Sequence, residues 1–182
     1  EATAVLNELK RRTPKATITT DQLLSTGSTN LDIACSGRTA GGLAKGKYYL
    51  LIGDSSSGKT FLSLTCFAEA MLNPNFKNYN LIFDAPEDGA LMDFGFFFGE
   101  AVAEKVQPPA YDKEGNPLHS TTAENFYDNL DAAMDRGPCI YVLDSENALT
   151  SESDIKSLQN QMKLRKKKAT EETDEKAAGS YG

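Results

Sequence analysis

The chain has 182 residues, of which 40% are hydrophobic and 25% charged, enough for one domain with a buried core. No run approaches the ~18 apolar residues of a membrane-spanning helix, and the N-terminus lacks a charged-then-apolar signal pattern. A net charge of −7 excludes a uniformly basic nucleic-acid binder but leaves room for a local basic patch.

Residues 1–24 read as a polar leader. Val5, Leu6 and Leu9 predict a short helix there, ended by Pro14. Residues 25–46 are rich in turn formers. An apolar run, Tyr48 to Ile52, predicts a strand, and Phe61 to Leu72 predicts a helix stopped by Asn73-Pro74-Asn75. Asn80 to Phe83 is a second short strand, followed by Asp84-Ala85-Pro86-Glu87-Asp88-Gly89. A helix is expected over 90–106, weakened by Gly95 and Gly99. Residues 107–119 read as a polar loop containing the only histidine, His119, which rules out histidine-based triads and multi-histidine metal sites.

Residues 120–136 carry strong helix signals: Ser or Thr caps, Glu124 in the first turn, and Gly137-Pro138 beyond the end. Cys139 to Leu143 is a buried strand ending at Asp144. Beyond Thr150 the chain turns polar, with a weak apolar stripe at Leu158, Met162 and Leu164. A basic run and then an acidic run follow, so 151–182 reads as a charged helix and flexible loop. Strands alternating with helices give an α/β fold with a mainly parallel sheet. Cys35, Cys66 and Cys139 are odd in number and widely spaced. They read as buried reduced thiols without metal spacing.

The residues Gly53-Asp54-Ser55-Ser56-Ser57-Gly58-Lys59-Thr60 fit G-x-x-x-x-G-K-[ST], the phosphate-binding P-loop, between the expected strand and helix. Gly53, Ser55, Ser56, Ser57 and Gly58 would wrap backbone N–H groups around the phosphates of ATP. The following helix would add its positive end. Lys59 would reach the β- and γ-phosphates, and the Thr60 hydroxyl would ligate Mg²⁺. Hydrolysis needs two further carboxylates. Asp144, ending an apolar strand, suits the Mg²⁺ site, the alternative being a helix N-cap. Glu87 or Asp88, after the other strand, suits the general base, and Glu87 is preferred.

These motifs resemble the RecA family of recombinases. The resemblance rests on Ser25-Thr26-Gly27-Ser28, Leu31-Asp32-Ile33-Ala34, Gly41-Gly42-Leu43, Lys45-Gly46, and the loop from Gly53 to Thr60. It continues at Phe83-Asp84-Ala85-Pro86-Glu87 and at Leu143-Asp144-Ser145, covers about 25–150, and points to the phage-type branch. It implies a three-layer P-loop NTPase core and a DNA-dependent ATPase. Such a protein forms a filament on single-stranded DNA and promotes homologous strand exchange, in the cytoplasm of a bacterial host. By the same resemblance Lys59 and Glu87 are catalytic, Thr60 and Asp144 hold the metal, and Phe94 is a candidate adenine-stacking ring. The family pattern is Asp-Ala-Glu, whereas Pro86 makes this chain one residue longer, so the register stays open between Glu87 and Asp88. The basic run Lys163, Arg165, Lys166, Lys167 and Lys168 falls where the family has its first DNA-contacting loop. The alternative for that run is a solvated charged helix.

The strand that lies between the P-loop strand and the Asp-bearing strand in such folds comes later in sequence, and no apolar strand follows Leu143. The fold is therefore expected to be incomplete at the C-terminus, the chain being the first part of a longer protein and, by itself, weak or inactive as an ATPase. Two other readings share the nucleotide site: a hexameric RecA-like helicase ring, and a non-catalytic nucleotide-binding interaction module.

Overall fold

The computed structural model describes residues 18–87 and 92–163. The expected leader helix, Asp88, and the basic residues Arg165, Lys166, Lys167 and Lys168 lie outside the described residues. The described residues fall into two compact units that divide between Asn78 and Tyr79.

In the first unit a 3-10 turn at Thr20–Gln22 leads into Leu23–Leu24 (β1). Both leucines are buried, at the end of the segment read as leader. The helix Thr29–Ser36 (α1) follows, absent from the turn-rich reading of this stretch. Ser28 caps it by accepting from Leu31 N–H, and Gly37 ends it in the left-handed region at φ 72°. Leu43–Ala44 (β2) then pairs antiparallel with β1, Leu23 facing Ala44. Lys59–Leu72 (α2) is the predicted P-loop helix. Its buried residues Leu64, Phe67 and Ala70 recur every third position, making one apolar stripe, with Cys66 beside it. The helix packs on β1 and ends where Pro74 forbids continuation.

The strand expected at 48–52 is not formed. These residues belong to no strand and are exposed, Tyr48 at 71% and Ile52 at 87%. Hydrophobicity does not make a strand by itself, because its backbone groups need a neighbouring strand. Among the described residues none pairs with this run.

In the second unit Asn80–Asp84 (β3) appears as predicted, one residue longer. The helix expected over 90–106 is instead two short pieces, Phe94–Phe98 (α3) and Glu100–Ala103 (α4). Gly99 separates them at φ 89°, a left-handed conformation that interrupts the helix. Val106–Gln107 (β4) comes next. The expected loop holds a small hairpin of Ala110–Tyr111 (β5) and Pro117–Leu118 (β6). Asp112 closes its turn by accepting from the N–H groups of Glu114 and Asn116. Ala123–Asp135 (α5) matches its sequence signals, with Thr122 as N-cap accepting from Asn125 N–H at 3.1 Å. Cys139–Leu143 (β7) also matches. A 3-10 turn at Glu146–Ala148 follows, and residues 152–163 are helical.

The strands β4, β3 and β7 form a parallel sheet in that order, Asn80 facing Cys139 and Asp84 facing Leu143. The molecule is thus mixed α/β with a three-stranded parallel sheet. The central strand is the most buried, with Leu81 and Ile82 fully enclosed, as a strand paired on both sides must be. No helix among the described residues is long and apolar enough to cross a membrane. The cysteines depart from expectation. Cys66 is buried, but Cys139 is half-buried and Cys35, on the outer side of α1, is exposed.

Candidate functional site

The glycine- and hydroxyl-rich block that precedes the P-loop is organised around one buried acid. Asp32, 2% exposed, accepts from Thr26 N–H through Oδ1 at 2.8 Å and from Ser25 Oγ through Oδ2 at 3.0 Å. Ser36 Oγ donates to Gly41 O at 2.6 Å and ties the far side of α1 to the same loop. Two glycines admit this packing. A Cβ on Gly27, at φ 82°, would overlap the Thr65 methyl of α2, and one on Gly42 would press on Asp32 Oδ1 at 3.0 Å. The residues Ser25, Thr26, Gly27 and Asp32 therefore hold the loop around α1, close to α2.

The loop from Gly53 to Thr60 curls onto the start of α2. Ser57 N–H donates to Asp54 O at 3.3 Å, and Leu62 N–H donates to Gly58 O at 2.9 Å. Ser56, at φ 61°, is the one non-glycine residue with a left-handed backbone among the described residues, and Gly58 is left-handed at φ 86°. Turns with left-handed residues of this kind can bring N–H groups to one side, where an anion is received. Gly53 admits the close approach of Ser57, whose Oγ would lie 2.9 Å from a Cβ there. Lys59 Nζ donates to Gly53 O at 2.8 Å and Asp54 O at 2.7 Å, so the ammonium sits over the loop. Ser55 and Thr60 complete the stretch, Thr60 in the first turn of α2. These features fit a phosphate chain: backbone donors, a helix N-terminus and a movable cation.

In the second unit, β3 and β7 deliver their final residues to the same edge of the sheet. The Asp144 N–H donates to Asp84 O at 2.8 Å and extends the pairing past Leu143. Ser145 Oγ then donates to Glu87 Oε1 at 2.8 Å. The sequence expectation that these two loops emerge together is met here: Glu87 is bonded to the residue after Asp144. The Asp144–Ser145 peptide is cis. Asp144 does not cap the following turn, whose N-cap is Ser145. Phe94 packs edge-on against Phe83 at 5.6 Å and beside Phe98, an arrangement of hydrophobic packing. Lys163 ends the described helix, exposed.

A polar cluster beneath this edge was not anticipated. Asp84 is fully buried, accepts three hydrogen bonds from two residues and lies beside the His119 ring. Ser120 N–H donates to Oδ1 at 2.8 Å, Ser120 Oγ to Oδ2 at 2.5 Å, and Tyr141 OH to Oδ2 at 2.6 Å. His119 Nδ1 lies 3.6 Å from Oδ1. Asn129 Nδ2 on α5 donates to Ser120 Oγ at 2.9 Å, and Phe126, one turn earlier, packs edge-on against the Tyr141 ring at 5.6 Å. Burial, reinforced by the carboxylate, pushes the Tyr141 phenol well above its ordinary range. The available sequence signal was Asp84 itself: a carboxylate closing an apolar strand needs donors, and Ser120 and Tyr141 supply them.

No protein-family model, curated protein or solved structure matches the chain.

Proposed function

We propose that this chain is part of a RecA-like, DNA-dependent ATPase that binds single-stranded DNA, self-associates on it and promotes homologous strand exchange. Its core would be a P-loop NTPase, working in the cytoplasm of a bacterial host. The observation that carries the reading is the Gly53–Thr60 loop. Left-handed Ser56 and Gly58 lead directly into the α2 N-terminus, and Lys59 folds back onto the Gly53 carbonyl of the same loop. In this reading Ser55, Ser56, Ser57 and Gly58 supply backbone donors, and Lys59 moves from the Gly53 and Asp54 carbonyls to phosphate oxygens. Thr60 and Asp144 would hold Mg²⁺, which neutralises charge on the phosphates. Glu87 orients a water and accepts its proton, with Ser145 steering the carboxylate by donating to Oε1.

A second reading is favoured by the exposed run at 48–52, which leaves the loop without its supporting strand. It is a nucleotide-binding interaction module without turnover. Titration with a fluorescent ATP analogue and Mg²⁺, followed by phosphate release with and without single-stranded DNA, separates the two. The ATPase reading expects DNA-stimulated turnover, lost in both Lys59→Ala and Glu87→Gln, with nucleotide binding lost only in the first. Binding without turnover, unchanged by Glu87→Gln, selects the module. An absence of nucleotide binding in the unsubstituted chain overturns both.

A further inference from the structure

The single histidine stands at the one backbone donor that precedes Glu87. His119 Nδ1 accepts from Ala85 N–H at 3.1 Å, across 34 residues of sequence. Pro86 has no N–H, so between Asp84 and Glu87 the Ala85 amide is the only backbone donor. The turn bearing Glu87 is thus held at two points: Ala85 by His119, and the Glu87 carboxylate by Ser145.

An Nδ1 that accepts a hydrogen bond carries no proton, so the imidazole is neutral with its proton on Nε2. The same Nδ1 lies 3.6 Å from Asp84 Oδ1. These two neighbours demand opposite states. The amide needs the lone pair, while the carboxylate would attract an N–H. Protonation at Nδ1 places a second donor against Ala85 N–H and turns the ring toward Asp84. Among the described residues, the titratable groups nearest the ring come from three places. Asp84 comes from β3 and Tyr141 from β7, the latter reaching it through Asp84 Oδ2; Glu87 lies on the held turn. The His119 side chain is 31% exposed, so water can deliver the proton.

We propose that His119 is a positioning residue whose unprotonated Nδ1 holds the Ala85–Glu87 turn in place and releases it on protonation. Its link to turnover rests on Glu87 being the water-orienting carboxylate, as in the preceding section; the latch itself does not.

The test has two arms on the full chain. Nitrogen-15 NMR of the lone imidazole is expected to show the Nε2–H form at alkaline pH. The Ala85 amide proton should shift with the same midpoint as the ring. In His119→Asn the side-chain oxygen can still accept from Ala85 but does not titrate, so the amide should become insensitive to pH. An Nδ1–H tautomer, or an Ala85 amide that ignores the ring's titration, overturns the proposal. In the second arm, ATP turnover is followed against pH. Each pH unit below the ring's midpoint should lower kcat about tenfold, in step with the unprotonated fraction. His119→Asn should remove that acid limb, and His119→Phe, which cannot accept, should lower kcat at every pH. An acid limb that survives in His119→Asn removes His119 from turnover. If no turnover is seen at any pH, the Glu87 reading fails while the NMR arm still decides the latch.

Discussion

Tyr141 and Asp84 meet diagonally across the β3–β7 pair. Tyr141 faces Ile82 in the register, and Asp84, two residues on, projects from the same face of the sheet. Their 2.6 Å hydrogen bond joins the only fully buried carboxylate of the second unit's sheet to a half-buried phenol. Tyr141→Phe removes one of the two donors to Oδ2 and should cost about 1–3 kcal/mol in urea denaturation. Asp84→Ala strands both Ser120 donors and the phenol at once and should cost more. The phenol's folded-state value lies above its ordinary 10.0. Its contribution is therefore complete below pH 10 and is lost as pH rises further. The unsubstituted chain should lose stability above pH 10 more steeply than Tyr141→Phe. Parallel pH profiles would show that the bond does not form.

The Asp32 knot gives a second expectation, independent of nucleotide chemistry. Asp32→Ala leaves the buried Thr26 N–H and the Ser25 hydroxyl without their acceptor, a loss of about 2–4 kcal/mol. Gly27→Ala forces a Cβ onto Thr65 from a left-handed backbone and should cost about 1–3 kcal/mol. Thermal unfolding measures both. A Gly27→Ala chain as stable as the original would mean that Gly27 does not pack against α2 as described.

The three thiols should react in a fixed order. Cys35 is exposed, Cys139 is half-buried with its thiol pushed up by burial, and Cys66 is buried with its thiol pushed up to about 12. Iodoacetamide at pH 8, followed by peptide mass analysis, should label Cys35 first and Cys66 last, because only a thiolate reacts. The sign for stability follows. A buried thiol raised above its ordinary 9.0 favours the fold fully below pH 9, and that contribution falls between pH 9 and about 12. The slope is at most about 1.4 kcal/mol per pH unit. Cys66→Ala should flatten this part of the stability profile.

Local signals in the sequence reached as far as local physics allows. Thr122, Glu124 and Gly137-Pro138 bound α5 because caps and breakers act within a few residues. Gly99 interrupts its helix for the same reason. Asp144 and Glu87 could be placed on one sheet edge because both follow apolar strands, and β3 and β7 are parallel. The failures are long-range. Whether Tyr48 to Ile52 becomes a strand depends on a partner, not on its own composition. His119 read as a loop residue because its partners, Asp84 and Ala85, are 35 and 34 positions away. Cys35 read as buried from its apolar neighbours, but α1 turns its core side to Asp32 instead.

Five consecutive apolar residues at 48–52, with neither charge nor proline among them and their side chains in solvent, have a colloidal consequence. Such a window is a template for sheet-like stacking between molecules. Lys45 and Lys47 before it and Asp54 after it are the only nearby charges that oppose this. The local charges at these three gatekeepers therefore bear on self-association alongside the net charge of −7. Precipitation should accordingly quicken with added salt, which screens them, rather than slow.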